Sequence, residues 1–478
     1  MKQATWLMIA VLVLVGASQV AAEEVAGLPL HVKTLAPGVV RVWVGDYISS
    51  TATVAFATSK GIVVIDTLGN PRIDRQLREV IARELGSNDF KVLINTHEHG
   101  DHTGGNVVYT DCTIVGHELV AAGMTANTGD RQRVNEWLAT RIAELEKDLE
   151  TKPADSAEAK RLREEVLLNR LNLEAQKANP KPVPPTKTFS TRMTLEMGDT
   201  TFELYYIGGM HTASDIAIFV PERGMLMTGD TMADVWLTDT PGCLASFIAR
   251  EGIRHDFPLL LENWGLLLQK KDRIKTLITG HWNGELTLKG FEDRVNYVKS
   301  LWDGVNKAVK DGKSLADIQA DYRLDTRFPE LAKSPGCNLR NNYSTILEMW
   351  GVVTGQRSAA ASLYTLIDEG AGESAINGVL AERDRKGGKY YFLEDQLNAY
   401  GYRFLQQDKV KGAITLFRLN VNLFPASWNV YDSLGEALLK DGDAEAAIKM
   451  YEKSLELNPE SKSGKDALAR IRGAAQAK

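Results

Sequence analysis

Apolar and polar positions fall first into short runs. Val39-Val40-Arg41-Val42-Trp43-Val44 and Thr53-Val54-Ala55-Phe56 predict β-strands, and Gly61-Ile62-Val63-Val64-Ile65-Asp66 is a compact apolar run that ends in a polar loop. Such a run suits a strand buried in a sandwich. Ile73, Leu77, Val80, Ile81 and Leu85 then recur at helical spacing behind Pro71, and Lys91-Val92-Leu93-Ile94-Asn95 returns to strand character. Strand, helix, strand is an α/β order.

Between about Gly129 and Pro185 the chain becomes charged and free of glycine. Val134, Trp137, Leu138, Ile142, Leu145 and Leu149 form one stripe, and Leu162, Val166 and Leu173 begin a second after Lys152-Pro153. The pattern predicts a helical hairpin inserted into the α/β domain, readable as a lid, a dimer contact or a surface elaboration. Pro180-Lys181-Pro182-Val183-Pro184-Pro185 is a stiff connector, because proline fixes φ and blocks helix. Strands resume at Met193–Leu195 and Thr201–Ile207.

Past His281 the pattern is mostly helical, and near the end it repeats. Gly401, Ala413, Phe417 and Pro425 are matched about 34 positions later by Gly435, Ala447, Tyr451 and Pro459. This is the period of tetratricopeptide repeats, which the segment from Tyr431 to Pro459 resembles, and about residues 390–478 are read as that domain. Residues 289–389 are read as a helical linker or extension, and 23–288 as the α/β domain.

A chain of 478 residues with 44% hydrophobic content is long enough for two or three domains. The formal charge of -6 gives no basic footprint, so nucleic acid is not an expected partner. Lys2, the apolar stretch Ala4 to Val15 and Val20-Ala21-Ala22 have the form of a signal peptide over residues 1–22. The expected location is therefore secreted, or periplasmic in a Gram-negative bacterium, with no membrane span in the mature chain. Three cysteines, Cys112, Cys243 and Cys337, form no disulfide framework and no CxxC site.

The candidate chemistry lies in Thr96-His97-Glu98-His99-Gly100-Asp101-His102-Thr103-Gly104-Gly105-Asn106, directly after a predicted strand. Three imidazoles and a carboxylate within six positions gain nothing from crowding unless a cation binds them, and these are donors that zinc accepts.

With these residues the sequence resembles the metallo-β-lactamase superfamily across about residues 34–285. The resemblance continues through Gly208-Gly209-Met210-His211-Thr212-Ala213-Ser214-Asp215, Met225-Leu226-Met227-Thr228-Gly229-Asp230-Thr231 and Thr276-Leu277-Ile278-Thr279-Gly280-His281. It implies a four-layer αββα sandwich in the α/β class, with metal ligands at one edge between the sheets. His97, His99 and His211 would hold one metal, Asp101, His102 and His281 the other, and Asp230 would bridge them. Two zinc ions are expected; iron or manganese suits the same donors. Asp66 resembles the family's first motif, where a carboxylate braces the metal loop through hydrogen bonds.

The expected activity is a dinuclear zinc hydrolase acting through a metal-bridging hydroxide on an ester, thioester, lactone or related small molecule, with Asp101 orienting the nucleophile or moving its proton. Trp236, on the loop after Asp230, and Trp282 are candidate pocket walls. A bridging Asp230 points away from β-lactamases, and His211 and Asp230 stand where alkylsulfatases use glutamates. A β-lactamase or sulfate-ester hydrolase stays open on the same site. So do a mononuclear iron dioxygenase and a repeat-mediated binding protein with a vestigial metal site. A protein partner of the repeats and a homo-oligomer are compatible with the sequence. His31 and His255 read as ordinary packing or surface residues, and His117 as a candidate for a supporting role.

Overall fold

A computed structural model describes residues 23–45, 51–129, 131–178, 181–232, 255–281, 285–333, 339–385 and 387–476. The signal-like segment 1–22, Trp236, Trp282, Cys243 and Cys337 lie outside the described residues.

Two sheets face each other. The first contains β1 (Glu24–Val25), β2 (Leu28–Ala36), β3 (Val39–Val44), β4 (Thr53–Thr58), β5 (Gly61–Ile65), β6 (Phe90–Ile94), β7 (Thr113–His117) and β8 (Lys187–Phe189), side by side in that order. Neighbours are antiparallel from β1 to β5 and parallel from β5 to β8. Parallel neighbours need crossovers. Helix α1 (Pro71–Leu85) supplies the first, started by Pro71 and by the Asn70 side chain, which accepts from Arg72 N and Ile73 N. The β6–β7 connection contains the single turn α2 (Gly100–Thr103), and the longer β7–β8 connection contains α3 (Val120–Gly129), α4 (Arg131–Glu150) and α5 (Ala157–Ala178).

The second sheet contains β9 (Arg192–Glu196), β10 (Thr201–Tyr206), β11 (Ile216–Val220), β12 (Met225–Met227), β13 (Thr276–Ile278) and β14 (Glu285–Leu286), in the order β14-β13-β12-β11-β10-β9. Here β12 and β13 are the parallel pair, joined through a connection that includes α6 (Phe257–Gln269); α7 (Leu288–Lys310) follows the sheet.

Strand parity explains the layers. Val39, Val54, Phe56, Val63 and Ile65 point inward and meet Phe202, Leu204, Ile218, Met225 and Met227 of the other sheet. Val40, Val42, Ala55, Ile62 and Val64 point outward, under Ile73, Leu77 and Ile81 of α1 and Leu168 and Leu171 of α5. On the far side, Ala217, Phe219, Leu226 and Leu277 pack under α6 and α7. The order is helix, sheet, sheet, helix. Each fully buried Val, Ile or Phe in these seams stabilises by about 1.5–3 kcal/mol, so the seams fix how the sheet edges meet.

Three details differ from the pattern reading. Trp137 is not part of the hairpin stripe: it is 61% exposed beside buried Leu138, while Ile142 and Leu145 make the seam with Leu162 and Val166. The core of the outer helical layer runs past residue 288, through Phe291 and Val298 of α7 to Ile346 and Met349. Strand β2 has no counterpart in the pattern reading: Leu28, Leu30 and Val32 alternate with Pro29, His31 and Lys33, but its burial is mixed and Val32 is exposed.

A separate helical core extends from Ala359 to Leu468. Within it, helices Glu394–Gln406 and Val410–Leu423 pair, as do Trp428–Lys440 and Ala444–Leu457. A Cβ on Gly401 would lie 2.2 Å from the Phe417 ring, and one on Gly435 would lie 3.2 Å from the Tyr451 ring. The same small-against-aromatic contact therefore recurs in both pairs. Among the described residues no helix is long and apolar enough to cross a membrane.

Candidate metal centre

The donor loops leave the sheets at strand ends. β6 delivers residues 97–102, the β10–β11 loop delivers His211, and the parallel pair β12 and β13 delivers Asp230 and His281. The structure brings together all seven residues read as ligands. They form two groups, His97, His99, His211 and Asp230, and Asp101, His102 and His281, each with its donor atoms within 4.8 Å of one another.

In the first group His99 Nδ1 lies 3.0 Å from His211 Nε2, and Asp230 Oδ2 lies 3.4 Å from His211 Nε2 and 3.9 Å from His97 Nε2. In the second, His102 Nε2 and His281 Nε2 are 3.3 Å apart, with Asp101 Oδ2 at 3.5 Å from each. Asp230 also reaches this group, with Oδ1 at 3.5 Å from His102 Nε2 and Oδ2 at 3.0 Å from His281 Nε2. It lies between the two.

Asp66 sets ring orientation in both groups. His102 Nδ1 donates to Asp66 Oδ2 at 2.9 Å, since a carboxylate there can only accept, and this leaves the lone pair on Nε2. Thr96 Oγ1 also donates to Asp66 Oδ2, at 2.7 Å, and so must accept from His97 Nδ1 at 3.0 Å. The His97 lone pair is thereby also on Nε2. Asp66 has φ 57°, a left-handed position uncommon for a non-glycine residue, held by Asp66 N to Ile94 O at 2.9 Å and Thr53 Oγ1 to Asp66 O at 3.0 Å.

Several supports carried no role in the sequence reading. Asp215 accepts from the backbone N–H of Met210, His211 and Thr212 and from the Thr212 hydroxyl, which closes the His211 loop. Ser214 donates to buried Glu98 and ties that loop to the His97–His99 segment. The amides of Asn95 and Asn106 pair at 2.8 and 3.0 Å, and Asn95 Nδ2 also reaches His102 O. Buried Arg41 donates from Nη2 to Thr279 O at 2.7 Å and His281 O at 2.9 Å. Thr51 Oγ1 donates to Asp101 Oδ2 at 3.1 Å. A Cβ on Gly280 would lie 2.3 Å from Asp230 Oδ1 and 2.9 Å from His102 Cε1, so only glycine permits this approach. Arg41 had a signal, a charge inside an apolar strand; Thr51 had none.

The remaining histidines pack. His31 stacks on Trp43 at 4.9 Å; His117 stacks on Tyr206 at 3.8 Å and donates from Nε2 to Ser190 O. His255 is more than filler: it is buried, and Nδ1 donates to Gly209 O at 2.9 Å, just before His211.

The electrostatics favour positive charge in the cavity. Burial opposes protonation of His102 and His281, yet Asp230 and the other carboxylates around them raise both, His102 well above its ordinary value. Burial opposes ionisation of Asp230 and Asp101, but the imidazoles hold both below the usual carboxylate range, Asp230 well below. Burial pushes Asp215 up to about 7. His97 Nε2 and Asp230 Oδ1 are buried without a hydrogen-bond partner, the state expected of donors shaped for a cation. The donor chemistry, three imidazoles and a shared carboxylate beside two imidazoles and a carboxylate, fits zinc.

Residues 44–281 match the family model described as metallo-beta-lactamase superfamily. The chain therefore carries a metallo-β-lactamase superfamily domain, the fold of proteins that are in general metal-dependent hydrolases. A curated relative, 2,4-dinitroanisole O-demethylase subunit alpha from Nocardioides sp. (strain JS1661), is 24% identical over 217 residues, 45% of this chain and 50% of the relative. The chain thus spans about half the length of that relative. Among solved structures, the stereoselective inverting sec-alkylsulfatase Pisa1 from Pseudomonas sp. is 13% identical with a TM-score of 0.44, covering 90% of this chain and 66% of that one. A metallo-beta-lactamase from Pontibacter korlensis is 17% identical with a TM-score of 0.36, covering 56% and 97%.

Proposed function

We propose that the protein is a dinuclear zinc hydrolase acting on an ester, thioester, lactone or related small molecule. The observation that carries this reading is the convergence of seven donors into two adjoining groups that share Asp230. His97, His99 and His211 would hold one ion, Asp101, His102 and His281 the other, and Asp230 would serve both. Bound there, two zinc ions would supply Lewis acidity and lower the pKa of water toward neutrality.

The chain's own residues do the rest. Asp66 keeps the Nε2 lone pairs of His97 and His102 turned to the centre. Asp101 is the carboxylate open to the outside, with its side chain 38% exposed, and is suited to orient an attacking water and move its proton. Asp215 and the Glu98–Ser214 bond hold His211 against the first loop. The helices from Glu394 to Gln476 are proposed as tetratricopeptide repeats that bind a protein partner, and residues 1–22 as a signal for secretion or the periplasm.

The test is a substrate panel with zinc-loaded full-length protein: carboxylate ester, thioester, lactone, phosphodiester, sulfate ester and lactam. An aryl methyl ether is added because the Nocardioides relative is named for O-demethylation. Turnover of an ester, thioester or lactone is expected, lost on zinc removal and restored by zinc. A zinc-loaded protein inert on the whole panel contradicts the reading.

A further inference from the structure

We propose that Thr51 is a positioning residue for the second donor group, whose hydroxyl, through Asp101, governs how tightly that group takes up metal. The proposal rests on the two-metal reading above. Thr51 lies just ahead of β4, outside the motifs that carry the metal donors, and contacts two of the group's three donors.

The first contact is with Asp101. The Thr51 hydroxyl donates to Asp101 Oδ2, the same oxygen that lies 3.5 Å from both His102 Nε2 and His281 Nε2. Asp101 needs this contact more than its neighbours need theirs. Its side chain is 38% exposed, whereas the side chains of His102, its neighbour on the four-residue α2, and of His281 are fully buried. A carboxylate at such a place turns into water unless a donor holds it. Thr51 can hold it because threonine is stiff at χ1 and because this one is 5% exposed, where a hydroxyl must find a partner.

The second contact is with His281. Thr51 and His281 form an antiparallel β-bridge, and Ala52 N donates to Gly280 O at 2.9 Å. Arg41 on β3 holds the carbonyls of Thr279 and His281. The His281 loop is therefore stitched to the β3–β4 side of the first sheet, and Thr51 is where that stitching meets Asp101. The supports of the first donor group named above come instead from Thr96, Asp215 and Glu98.

The experiment is zinc titration of the full-length protein against a competing chelator. It uses wild type, Thr51→Val, Thr51→Ala and Thr51→Ser, with thermal melting of each metal-free protein alongside. Wild type and Thr51→Ser are expected to take up two equivalents with similar affinities. Thr51→Val and Thr51→Ala should keep the first equivalent and bind the second about 10-fold or more weakly, the size of effect seen when an outer contact to a ligand is removed. The Ala variant adds no methyl group to the site, so it covers the case in which Thr51→Val fails to fold. Unchanged second-equivalent affinity in both hydroxyl-free variants overturns the proposal. So does equal weakening of both equivalents, which would mark Thr51 as a contact of the fold. A wild type that takes up no second equivalent instead overturns the two-metal reading, and Thr51's role with it.

Discussion

The two donor groups share Asp230, yet they are built differently. The first joins buried His97, His211 and Asp230 to a half-buried His99, and it is held by loops that also carry the ligands. The second joins two buried imidazoles to a half-open carboxylate and borrows supports from strands far away in sequence, Arg41 on β3 and Thr51 before β4, while Asp66 after β5 serves both groups. One half is shaped by its own motifs; the other depends on register between β3, β4 and the β13 end. The first equivalent of metal is therefore expected to bind more tightly than the second.

The largest effect should come from cutting the shared residue. Asp230→Asn leaves both groups without their common carboxylate and is expected to lower kcat/KM on any panel substrate by more than about 100-fold, beyond the cost of removing an outer contact. Metal content measured on the same protein should fall below two equivalents. Activity within tenfold of wild type would separate the two groups and break the comparison.

Asp66→Asn comes next. An amide nitrogen facing His102 Nδ1 would push the ring proton to Nε2, and the relay through Thr96 to His97 would weaken. Metal affinity should drop about 10–100-fold in both groups. Weakening confined to the second equivalent would show that the Thr96 relay does not orient His97.

The smallest effect concerns stability. Asp74 accepts from Leu68 N and Asn70 N, in the turn against which Gly104 packs just after the second group's residues. Burial raises it from 3.8 to about 7. Between these values the folded state binds the proton that the unfolded chain has released, so this contribution is fully present below about pH 4 and lost as pH rises to about 7. Urea midpoints should fall over that interval in wild type, with a flatter profile in Asp74→Asn. Parallel profiles would place no proton on Asp74.

How much of this was legible depended on distance along the chain. The seven donors sit in contiguous motifs, each after an apolar run, and the sandwich core follows from strand parity. Thr51 and Asp101 meet only because β4 starts beside the β13 end, and a lone threonine gives no sign of that. Asp215 lies within the His211 motif, but the four donor groups that converge on it become visible only once the loop closes. Trp137 shows the opposite failure: hydrophobicity placed it on the hairpin seam, and one residue of helical phase put it in water. The continuation of the core beyond residue 288 is not legible in the sequence, because amphipathic helices carry no mark of which layer they join.

The central claim is that both groups hold metal. The most direct measurement is an anomalous difference map at the zinc edge from crystals grown with zinc. Two peaks are expected, one among His97, His99, His211 and Asp230 and one among Asp101, His102, His281 and Asp230. A single peak confined to the first group, or none in either, would contradict it.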